Sequence, residues 1–151
     1  MDAKDFGQPH RVDLRGPWPW EADSVEEAHC SHFVEHLAAP ERVHFVNELY
    51  RVLVPGGLCT LIAPHWSSGR AYGDLTHQWP PVSEMWFFYL SKSWRASQSP
   101  HSDEYACDFE TTWKYAIHPA LQARTPEQQS FALQNYREAA QDIVATLKAL
   151  K

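Results

Sequence analysis

An α/β fold with a largely parallel sheet and an antiparallel addition at one side is what the sequence predicts, and three observations predict it. Short strand-like segments alternate with a helical segment through residues 24–64. A Pro-Gly-Gly punctuates the passage from helix to strand at Pro55-Gly56-Gly57. A second aromatic and β-branched run, 104–118, follows without the long helix that would return it in parallel. Alternating strand and helix favours parallel pairing, and strands in direct succession favour antiparallel pairing.

Taken in order, residues 1–9 are a polar tail. The segment HRVDL (10–14) alternates and is expected as a short strand. RGPWPWEADS (15–24), with two Pro-linked tryptophans, is an ordered loop. SVEEAHCSH (24–32) is a strand, and FVEHL (33–37) a short helical turn. Pro40 suits the first turn of a helix. Val43, Val46, Leu49, Val52 and Leu53 then give it one apolar face. LCTLIAP (58–64), bounded by breakers, is a buried strand. Residues 65–101 form an aromatic excursion, in which Ser83 caps a short helix over EMWFFYLSKSW. EYACDFETTWKYAIH (104–118) is one long strand or a hairpin. Thr125-Pro126-Glu127-Gln128 is a capping box. Tyr136, Ala140, Ile143, Leu147 and Leu150 step by four and three, which predicts a long C-terminal helix over 126–150.

With 151 residues the chain supports a single domain, 1–151, with a substantial core. Its formal net charge of −6 argues against broad nucleic-acid binding, since phosphate backbones are also negative. No apolar run reaches the roughly 20 residues of a spanning helix, so no membrane association is expected. The polar N-terminus has no signal-peptide core. Cys30, Cys59 and Cys107 are odd in number and widely spaced, which fits neither a disulfide framework nor a metal clip. These features point to the cytoplasm.

His32-Phe33-Val34-Glu35-His36 reads H-x-x-E-H, a spelling used by zinc peptidases. Those enzymes carry it on one continuous helix. Here it is expected to be divided between a strand end and a turn, so no stoichiometric zinc is expected.

DSVEEAHCSHFVEHL, then NELYRVLVPGG, then LCTLIAP resembles class I S-adenosylmethionine-dependent methyltransferases, a Rossmann-like family, from the fourth strand of that fold onward. VDLRGPWPW is similar to the segment around the family's third strand, and GDLTHQWPP to a loop of one subgroup. The resemblance implies a partial, N-terminally truncated Rossmann-like sheet flanked by helices, with S-adenosylmethionine as cofactor. It implies that Asp13 and Leu14 meet the adenine, and that Ser31 and His32 sit at the carboxyl edge of the sheet, where ligands of open α/β sheets bind. His65 and His77, with Asp74 nearby, would hang over the same edge. His32, His65 and His77 are thus the candidates for acid–base work, with packing roles as the alternative. Trp86-Phe87-Phe88-Tyr89 is core or a lid.

The family's Gly-rich turn is missing: Gly7, Gly16, Gly56, Gly57, Gly69 and Gly73 make no G-x-G. The acidic residue that holds the ribose is missing too. Weak or absent cofactor binding is therefore expected. Three functions follow: a methyltransferase acting on a small-molecule or macromolecular acceptor, a non-catalytic binding or assembly module, or a His-cluster metal site. A homodimer is expected, formed where the vanished strands would have lain.

Overall fold

The structure, a computed structural model, describes residues 12–151. Its four-stranded sheet has the order β1-β2-β4-β3. Strand β1 (Val25–Ser31) runs parallel to β2 (Leu53–Pro64). Strand β4 (Ala140–Ala149) is antiparallel to both β2 and β3 (Phe109–Ile117), so β1, β2 and β3 share one direction. The mixed α/β sheet matches the expectation, but its antiparallel strand is β4, from a segment expected as helix, while β3, expected as the antiparallel addition, runs in the direction of β1 and β2.

Helix α1 (Ala39–Val52) starts with Pro40 in its first turn, and the Glu41 carboxylate accepts the Ala38 N–H at 2.7 Å. Its inward face carries Arg42, Phe45, Val46, Leu49 and Val52; Val43 is only half-buried. That face covers the side of the sheet bearing Cys59, Leu61, Ala63, Ala145 and Leu147, all 0% exposed. The opposite side shows cross-strand rows such as His29–Thr60–Thr146–Thr112, exposed or half-exposed. A sheet with one apolar and one polar face needs only one covering layer, and the alternation within β2, β3 and β4 follows from that.

Several expectations give way. HRVDL is no strand over its described part: residues 12–16 turn, with Gly16 N–H on Asp13 O at 3.2 Å, while residues 10 and 11 lie outside the described residues. Strand β2 starts at Leu53 rather than 58, because Pro55-Gly56-Gly57 forms an irregularity inside it; Val25 faces Leu53 while Glu27 faces Leu58. Gly56 takes φ 77°, a conformation open to glycine at little steric cost. The excursion holds three short helices, α2 (Arg70–Gly73), α3 (Glu84–Phe88) and α4 (Lys92–Gln98), so the single aromatic helix is two. Of the 104–118 run only Phe109–Ile117 is strand, and it is a single one, β3.

The largest correction concerns 126–150. The capping box forms, with Thr125 Oγ1 accepting the Gln128 N–H at 3.3 Å. Helix α5, however, spans only Pro126–Asn135, and the rest is β4. The four-three spacing coincides with a two-residue alternation that buries Ile143, Ala145, Leu147 and Ala149. Pairing on both sides, with β2 and β3, decides for the strand.

Candidate functional site

Parallel pairing of β1 and β2 delivers two chain exits to one sheet edge. β1 stops after Ser31 because His32 adopts φ 51° and turns the chain, while its N–H still bonds Ile62 O at 2.8 Å. A single 3-10 turn, Val34–His36, follows. The H-x-x-E-H string is therefore divided between strand end and turn, as expected. His32 Nδ1 lies 3.3 Å from Glu35 Oε1. The Glu35 side chain is 5% exposed, and its Oε2 is buried with no hydrogen-bond partner.

The 74–78 loop folds over this turn. Gln78 N–H bonds Glu35 O at 2.7 Å. The rings of His36 and His77 meet edge to face, 4.7 Å between centroids. His36 Nδ1 is 2.9 Å from Thr76 Oγ1, and His77 Nδ1 is 3.2 Å from Ala71 O. Asp74 accepts both the N–H and the hydroxyl of Thr76, bonds that lower its carboxyl pKa.

His65, expected beside His32 and His77, belongs to a different network. It is buried after β2, with Nδ1 2.8 Å from Ser67 Oγ and Nε2 2.9 Å from Glu84 Oε1. Tyr115 O–H donates to the same Glu84 oxygen at 2.6 Å. Burial opposes ionisation of Glu84, yet the His65 and Tyr115 hydrogen bonds outweigh it and hold the carboxyl at about 2. Burial and the Glu84 bond push Tyr115 up to about 12. The structure thus joins His32 to Glu35 and His77 to His36, and gives His65 partners of its own. Sequence reasoning missed Glu84 and Tyr115, which periodicity only marks as helix start and strand.

Of the cofactor candidates, Leu14 and Ser31 line one apolar groove of about 490 Å³ between β1 and α1, shared with Trp18, Cys30 and Phe45. Asp13 lines a smaller adjoining pocket of about 80 Å³ with Leu14, Phe33 and His36. Its carboxylate accepts Arg15 Nε at 2.9 Å and a second guanidinium nitrogen at 2.8 Å. Arg15's side-chain hydrogen bonds hold the Asp13 carboxyl well below the usual range. Trp18, expected only as a loop residue, fixes this segment: its indole N–H donates to Leu14 O at 3.1 Å and its backbone N–H to Glu48 at 3.0 Å. In the excursion, Phe87 is core, stacked on Trp113 with centroids 5.9 Å apart.

No family model matches the chain, and no curated protein matches it. Solved structures do. A SAM-dependent methyltransferase from Archaeoglobus fulgidus superposes with a TM-score of 0.64 at 15% identity, over 92% of this chain and 66% of that one. The [4+2]-cyclase SpnF gives 0.53 at 16% identity, over 93% of this chain and 55% of its own. A complex of the Haloferax volcanii Trm112 methyltransferase activator with the putative methyltransferase gives 0.51 at 16% identity, over 93% and 60%. The chain therefore spans a little over half to two thirds of these three structures. Identities this low speak to architecture, and a cyclase among the matches shows that the architecture does not fix the reaction. From β1 to β4, the chain has the fold of the S-adenosylmethionine-dependent methyltransferases.

Proposed function

We propose that the chain is a methyltransferase-type module whose carboxyl sheet edge faces a methyl acceptor, and which by itself holds S-adenosylmethionine weakly or not at all. The observation that carries this reading is the fold match combined with the composition of the edge. Leu14 and Ser31 line an apolar groove that runs along β1 from Val25 to that edge, but no G-x-G turn is present, and Asp13 is engaged by Arg15. Hydrogen bonds to charged groups contribute about 1.5–3 kcal/mol each. Losing two of them, about 4 kcal/mol, converts a micromolar ligand into a millimolar one. Calorimetric titration with S-adenosylmethionine is expected to give a dissociation constant near millimolar, or no measurable heat. A micromolar constant would overturn the reading. Three unpaired thiols suit a cytoplasmic setting.

One observation favours a second reading, assembly. Among the described residues β1 pairs only with β2, and its other edge, beside the apolar groove, has no ladder partner among them. A second copy of the chain, joined across a twofold axis at that edge, satisfies both. Light scattering coupled to size exclusion is expected to report twice 17.4 kDa. A single 17.4 kDa species at tens of micromolar would rule the dimer out.

A further inference from the structure

We infer that Glu35, His36 and His77 form a binding site for one divalent transition-metal ion of the zinc class. One ligand atom from each of these three residues lies within 4.8 Å of the other two. The ligand set is not the contiguous H-x-x-E-H string; it takes two residues from the turn and one from the overlying loop. It stands independently of any methyltransferase activity.

Hydrogen bonding fixes which nitrogens are available. The Thr76 hydroxyl donates to Asp74 Oδ1 at 2.8 Å, so toward His36 its oxygen is left to accept. His36 therefore carries its proton on Nδ1 and keeps a bare lone pair on Nε2. A carbonyl oxygen only accepts, so the His77 Nδ1 facing Ala71 O also carries the proton, and Nε2, 3.9 Å from Asp74 Oδ2, makes no hydrogen bond. Two imidazoles, each oriented by an outer hydrogen bond at Nδ1, with Nε2 free, have the arrangement metal-bound histidines show. The third member has its own unmet requirement. Glu35 is 4% exposed, and Oε2 has no partner. Arg42 is close, but its donors go to the carbonyls of Val34, Leu37, Pro80, Gln78 and Glu35, not to the carboxylate. His32 meets only Oε1, at 3.3 Å. Buried charges are paired or coordinate metals.

Two neutral imidazoles and one carboxylate form a donor set that zinc adopts with a fourth position open to water. Bonds of about 2.0–2.2 Å place tetrahedral ligand atoms roughly 3.3–3.5 Å apart. Approach of the half-buried His36 and His77 rings would have to close the present spacing of up to 4.8 Å by about 1.3–1.5 Å on binding. The ion would tie the 3-10 turn to the 74–78 loop, with His36 also lining the pocket that it shares with Asp13.

The test uses the full chain without a histidine tag, stripped with chelator and titrated calorimetrically with Zn²⁺. One ion per chain with a micromolar or tighter constant is expected, together with a rise in melting temperature. His77→Ala, in the loop, and His36→Ala are each expected to weaken binding at least a hundredfold while the far-ultraviolet circular dichroism stays unchanged. His65→Ala is expected to bind as the parent does. The Co²⁺-loaded parent should show the intense visible bands of a four-coordinate ion, a readout that no variant's folding affects. Sub-stoichiometric or no uptake, binding that survives both His36→Ala and His77→Ala, or a six-coordinate cobalt spectrum would each overturn the assignment.

Discussion

Arg42→Met is expected to destabilise the chain by about 3–5 kcal/mol, among the largest losses any single side chain here can cause. Arg42 is 5% exposed and sits on the first turns of α1. Its Nε bonds Val34 O at 2.9 Å and Leu37 O at 3.0 Å. Its remaining nitrogens reach Gln78 O at 3.1 Å, Pro80 O, and more distantly Glu35 O. Burial lowers its pKa, and the Glu35 charge opposes that. Methionine fills a similar volume but donates nothing, leaving several buried carbonyls unmatched, each costing about 1–3 kcal/mol before relaxation. The loss also falls on the candidate metal site, because Arg42 fastens the turn of Glu35 and His36 to the loop that follows His77. Urea denaturation measures it. A midpoint shift worth less than about 1 kcal/mol would show that water replaces the guanidinium without strain. Arg42→Lys, which retains the charge but lacks the fork of donors, should fall between the two.

The contrast between α1 and β4 shows what the residues announce by themselves. For α1, a proline in the first turn, an apolar stripe and a glycine pair just beyond the end agree with one another, and the helix appears within about two residues of its expected bounds. Even there Arg42 was not foreseen as an inward residue, since a buried arginine depends on carbonyls contributed by residues 34–37 and 78–80, far from any local pattern. For β4, local signals conflict. The capping box at Thr125 guarantees a start but no length, and α5 ends at Asn135. Ile143, Val144 and Thr146 are β-branched and favour a strand, whereas Leu147 and Leu150 extend a helical spacing. The two neighbours β2 and β3, distant in sequence, settle it. The site follows the same division. That His32 and His65 leave the sheet at one edge follows from parallel strands alone. That His77 meets His36, while His65 pairs with Glu84 and Tyr115, depends on how the excursion folds back, which no periodicity encodes.

The two versions of the C-terminus make different demands on neighbouring leucines, and so the strand can be tested by substitution. A helix with the four-three stripe would bury Leu147 and Leu150 alike, and alanine at either would cost a similar amount. In β4, Leu147 is 0% exposed and lies between Cys59 and Thr111, whereas Leu150 has passed the end of the ladder and is 43% exposed. Leu147→Ala is expected to cost about 3–4 kcal/mol, the removed methyl groups plus the cavity they leave under α1. Leu150→Ala is expected to cost less than about 1 kcal/mol, as for a partly exposed side chain. Tyr136, 62% exposed and on the supposed stripe, should tolerate alanine equally well. Ala145 gives the converse: it is 0% exposed between Leu61 and Trp113, so Ala145→Leu should overpack the same layer by about 1–3 kcal/mol. Chemical denaturation of the four variants reads all of this at once. Equal losses for Leu147→Ala and Leu150→Ala, with a harmless Ala145→Leu, would return the segment to a helix.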